Sequence, residues 1–83
     1  MPRQVLVAET LSTWREAERL LETLPPSSPD HETVQRITLE LRETYATLSE
    51  ASEASKALLD QSRKTVQEAA VLLARLNPRP PRR

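Results

Sequence analysis

An all-α fold is predicted by three features of this sequence: it contains no glycine, its prolines fall into a few clusters, and apolar residues recur at helical spacing between them. Glycine supplies left-handed turns, phosphate-cradling loops and hinges, so its absence excludes P-loops, dinucleotide fingerprints and Gly-hinged lids. Pro2 stands at the start, Pro25, Pro26 and Pro29 share one loop, and Pro78, Pro80 and Pro81 lie at the end. The segments between, 3–24 and 30–77, are rich in the helix formers Ala, Leu, Glu, Arg and Gln. The expected architecture is an antiparallel helical hairpin with a long second helix, completed into a four-helix arrangement by dimerisation. A monomeric three-helix bundle with a turn near Ser49 is the alternative.

The first helix is expected over 3–24. Val7, Leu11, Trp14, Ala17, Leu21 and Leu24 recur at steps of three and four, which places them on one face. Leu20 widens that stripe. The helix must stop near Leu24, because the residue before a proline is pushed out of the helical region. In the loop, 25–29, Ser28 is placed to cap the next helix with Pro29 at its first position. Asp30 and Glu32 then sit near the positive end of the helix dipole. So short a loop sends the chain back along the first helix.

The second helix is expected over 30–76, ended by Asn77-Pro78. Val34, Ile37, Leu41, Tyr45, Leu48, Ser52, Ser55, Leu59, Val66, Ala70 and Leu73 form its stripe. The stretch Ser49–Ser55 is poor in bulky apolar residues, and Thr47-Leu48-Ser49-Glu50 matches a capping box, so a break at 47–52 is the alternative. With no glycine or proline to turn the chain, a continuous helix is favoured. Such a helix would be about 69 Å long and the first helix would cover only about 33 Å of it. Its uncovered half carries Leu58, Leu59, Val66, Val71, Leu72, Leu73 and Leu76, so the continuous helix implies a second copy. Residues 1–77 therefore form one helical domain, and 78–83 a disordered Pro/Arg tail.

No cysteine is present, which removes disulfides, thiolate nucleophiles and zinc-thiolate sites. The N-terminal apolar run is too short for a signal-peptide core or a membrane span, and a cytoplasmic protein is expected. Residues 1–76 hold nine of the twelve Lys/Arg and all twelve Asp/Glu, for a net −3, while Arg79, Arg82 and Arg83 give residues 77–83 +3. An acidic body argues against a nucleic-acid surface. The tail also contains Pro78-x-x-Pro81-x-Arg83, the pattern of a polyproline ligand.

Catalytic residues are not expected. His31 is the one histidine, at a helix start between Asp30 and Glu32, where neighbouring side chains diverge. The pairs Glu18/Glu22, Glu40/Glu43 and Glu50/Glu53 fall on polar faces, as solvated carboxylates do. No serine or threonine has a histidine within plausible reach, and neither a cofactor, a metal nor a small-molecule substrate is implied. What remains is a non-enzymatic helical interaction or assembly protein whose partner is itself, as a homodimer or higher oligomer. Its interface stripe would be Leu11, Trp14, Leu21, Ile37, Leu41, Tyr45, Leu48, Leu59, Val66 and Leu73. Trp14 and Tyr45 are expected to meet on the seam between the first two helical stretches. A small regulatory or chaperone-like subunit that covers a helix of a larger protein is the alternative function.

Overall fold

In the computed structural model, which describes residues 2–51 and 55–76, the protein consists of three helices: α1 spans Arg3–Thr23, α2 Pro29–Glu50 and α3 Lys56–Leu76. No strand occurs among the described residues. α1 begins at Pro2, whose extended backbone leaves its carbonyl to accept from the Leu6 N–H at 3.2 Å. It ends where the coming proline demands: Leu24 is extended (φ −78°, ψ 137°) and its N–H closes the last turn on the Leu20 carbonyl. The Ser28 N–H then donates to the Pro25 carbonyl at 3.0 Å, closing a turn. The Ser28 hydroxyl caps α2, accepting from the Asp30 N–H at 3.2 Å, and Pro29 occupies the first turn, where no N–H is needed.

The long second helix expected over 30–76 is in fact two helices. α2 closes on Ala51, extended at φ −70°, ψ 122°, whose N–H donates to the Thr47 carbonyl at 3.2 Å. Ser55 opens α3: its hydroxyl accepts from the Leu58 N–H at 3.2 Å and its carbonyl from the Leu59 N–H at 3.0 Å. The start signal is therefore Ser55, and the Thr47–Glu50 box lies inside α2. Burial explains the outcome. A helix carried through Ser49–Ser55 gains no apolar contact from those two turns and strands the stripe beyond them in water. Turning the chain returns α3 to α1, where Val66 and Leu73 are buried. Ser52, the Asn77-Pro78 stop and the 78–83 tail lie outside the described residues.

α1 packs against both other helices, and α2 and α3 touch each other least. Arg3, at the start of α1, donates from Nη1 to the Leu48 carbonyl near the end of α2 at 3.0 Å, so these two helices run antiparallel. That carbonyl belongs to the last turn of α2, where the helix leaves acceptors unpaired and a cation meets the negative end of the dipole.

The buried positions are Leu6, Thr10, Ala17 and Leu20 of α1, Val34, Leu41 and Leu48 of α2, and Ser62, Val66, Ala69 and Leu73 of α3. They share one seven-residue grid that runs on through both turns. Leu6, Leu20, Val34, Leu48 and Ser62 stand fourteen residues apart in succession. Seven residues make nearly two helical turns, so this spacing keeps one face of every helix toward the common core.

The core of α1 is rotated one residue from the expected stripe: Leu6, Thr10 and Leu20 are buried, whereas Val7, Leu11 and Leu21 are half-buried. Thr10 is 0% exposed and its hydroxyl donates to the Leu6 carbonyl at 2.7 Å, so the polar group is satisfied inside its own helix. In α3 the core takes Ala69 in place of Ala70, and Ser62 is buried. Ser55, expected on the stripe, is the exposed cap.

Candidate functional site

The groove between α2 and α3 is the site that the fold leaves open, and it is lined by those two helices alone. One chamber of about 300 Å³ lies between Thr44 and Thr47 of α2 and Leu58 and Ser62 of α3. A second, of about 200 Å³, lies between Ile37 and Leu41 of α2 and Ala69 and Leu72 of α3. Glu40 and Thr65 line both, so the chambers form one trough. The pairing of Thr47 with Leu58 at one end and Ile37 with Leu72 at the other shows that α2 and α3 run antiparallel.

The floor is a second seven-residue row beside the core row. Ile37 and Thr44 of α2, and Leu58, Thr65 and Leu72 of α3, are all half-buried. The Thr44 hydroxyl donates to the Glu40 carbonyl at 2.8 Å and that of Thr65 to the Gln61 carbonyl at 3.1 Å. Both hydroxyls thus donate within their own helices. The walls are acidic: Glu40, Glu43 and Glu68 are exposed, and no lysine or arginine lines either chamber.

The Thr44 and Thr65 hydroxyls donate to helix carbonyls, and the carboxylates of Glu40, Glu43 and Glu68 line the same chambers. His31 is half-buried in the first turn of α2, with its backbone N–H on the Ser28 carbonyl at 3.1 Å. Among the described residues no group of three His, Cys, Asp or Glu side chains is gathered to hold a metal ion. No helix among them is long and apolar enough to cross a membrane.

The chain matches no family model, and no curated protein and no solved structure proved similar to it.

Of the residues expected to form an interface stripe, Leu41, Leu48, Val66 and Leu73 are buried in the core. Trp14, Leu21, Ile37 and Leu59 pack against that core while remaining half-buried. Tyr45 is half-buried against Trp14, the ring centroids 5.7 Å apart and the planes tilted by 45°. The Trp14 Nε1 is buried without a protein acceptor. Leu11 is half-buried on the α1 surface beside Ser12 and Arg15. The stripe is thus gathered chiefly around α1, and of its members only Ile37 and Leu41 also line the groove.

The expected stripe did not include Thr44, Leu58, Thr65 or Leu72. The signal was present: Leu58, Thr65 and Leu72 are seven apart, as are Ile37 and Thr44. Threonine reads as polar, so the row shows in its spacing and not in its hydropathy.

Proposed function

We propose that the protein is a non-enzymatic helical interaction module whose α2–α3 groove seats a helix of another protein, in the manner of a small regulatory or chaperone-like subunit in the cytoplasm. The observation that carries this reading is the half-buried row of Ile37, Thr44, Leu58, Thr65 and Leu72, which has the seven-residue period of a helix seat and no fourth helix over it among the described residues. Helix-in-groove docking uses apolar anchors on one face of an amphipathic helix, and a three-helix layer with an open trough offers the complementary half of a four-helix arrangement.

Methyl NMR tests it. An uncharged amphipathic helical peptide with leucines seven residues apart is titrated into the protein. Shifts confined to Ile37, Leu58, Thr65 and Leu72 support the seat; a spectrum unchanged at millimolar peptide overturns it.

Self-association is the second reading, supported by the outer flank of α3. Val71 there is 57% exposed beside Leu72, Gln67 and Arg75 around a hollow of about 290 Å³. Sedimentation equilibrium at two concentrations tests it, with a Val71→Lys variant expected to remove any dimer. A mass equal to one chain at both concentrations rules it out.

A further inference from the structure

We propose that the occupant of the α2–α3 groove is a basic amphipathic helix, at least about four turns long, with its positive charge on its middle turns. The inference rests on the helix-seat reading above and adds its chemistry and length.

The length follows from the floor. Leu58 and Leu72 lie fourteen residues apart on one face of α3, which is about 21 Å of helix and about four turns of an occupant laid along it. The apolar face follows from the same row, of which Ile37, Leu58 and Leu72 are the apolar members.

The charge follows from the rims. Glu40 and Glu43 stand three apart on α2, one helical turn, and Glu68 faces the same trough from α3; all three are exposed. Arg75 lines the neighbouring hollow with Glu68 and Leu72, and no charged residue lines the end near Thr47, Leu58 and Gln61, so the negative charge is centred on the middle of the trough. Carboxylates around an apolar trough favour lysine or arginine on the flanks of the incoming helix and repel an acidic one. The same field repels phosphate, which sets nucleic acid and anionic lipid aside as occupants.

Two other occupants are available from this chain. Residues 77–83 match the rims in charge through Arg79, Arg82 and Arg83, but their other residues are one asparagine and three prolines, with no branched or aromatic side chain for the floor. A second copy would present Val5, Leu39 and Val71 as its large exposed apolar residues, one on each helix and none forming a stripe.

The test compares three helical peptides with the same seven-residue leucine spacing and with flanks of lysine, glutamine or glutamate, read by methyl shifts at Ile37, Leu58, Thr65 and Leu72 on the full chain. The lysine peptide is expected to bind about tenfold tighter than the glutamate peptide at low salt, and the advantage is expected to fall as salt rises. Confining the lysines to the middle turns, over Glu40, Glu43 and Glu68, should keep that advantage, and moving them to the two ends should reduce it. A Glu40→Lys, Glu68→Lys variant, whose retained fold is checked by circular dichroism, should reverse the order of the peptides.

Equal binding of all three peptides would overturn the basic occupant and leave the helix seat standing. No shift with any peptide would overturn both. Groove shifts that change on truncation after Leu76 would assign the trough to the chain's own tail, and shifts that change with protein concentration alone would assign it to a second copy. Either result overturns the proposal.

Discussion

Trp14 shows how a single residue in a small core can be both useful and costly. Its ring covers the α1–α2 seam against Tyr45, while its indole N–H is buried without a protein acceptor. An orphaned buried donor costs about 1–3 kcal/mol, and the ring's apolar area works in the other direction. The two effects separate by substitution. Trp14→Ala is expected to lower stability by about 3 kcal/mol, the lower end for a large aromatic because the residue is only half-buried. Trp14→Phe keeps much of the ring, removes the donor, and should stay within about 1 kcal/mol of the parent in urea melts. Equal losses for both variants would show that the seam depends on the indole itself. Thr10 makes the complementary point: it is a polar residue at a core position whose hydroxyl is satisfied by its own helix. Thr10→Val preserves the shape and removes a buried polar group, so urea melts should place it between neutral and about 1 kcal/mol more stable.

At the scale of the helices, the decisive residues are the caps. Ser28 was legible because it precedes Pro29 and an acidic first turn, and its hydroxyl is found on the Asp30 N–H. Ser55 was not legible, because Thr47 offered a better-known pattern eight residues earlier and no proline marked the turn. Cap exchange distinguishes the two signals. Ser55→Ala should cost about 1 kcal/mol and speed amide exchange in the first turn of α3. Thr47→Ala, in an exposed position inside α2, should be neutral or slightly stabilising, since alanine is the better helix former. The reverse pattern in thermal melts would return the cap to Thr47. Helix content was legible from composition and proline placement, because those act locally. The facing of α1 was off by one residue for a different reason. The stripe drawn from sequence held Ala17, which is buried, but followed Leu11 and Leu21 where the core takes Thr10 and Leu20. The groove was illegible for a related reason. It is a property of the pair α2–α3, and it exists only once the chain turns before Ser55.

The whole molecule follows from how a short chain covers its apolar surface. At 83 residues, a single core buries only about 60–65% of what the unfolded chain exposes, so no long stripe is left without cover at little cost. Two solutions fit the sequence: a long helix shared with a second copy, or a turn that brings α3 back onto α1. The second keeps the buried positions of all three helices on one seven-residue grid, and it leaves an acidic trough between α2 and α3. The helix directions give this arrangement a sharp signature. α1 and α3 both run antiparallel to α2, so their C-terminal ends lie at the same end of the molecule. The absence of cysteine allows a clean labelling pair at the exposed positions Glu22 and Ala74, as Glu22→Cys and Ala74→Cys. Neighbouring helices pack about 8–10 Å apart, so pulsed electron spin resonance should find the spin labels within about 30 Å of each other in dilute solution. A continuous helix over 30–76 would carry residue 74 about 60 Å from the end of the first helix. The long distance would replace three helices with a hairpin and remove the groove with them. The short one, kept on dilution, would place the closure of the core within a single chain.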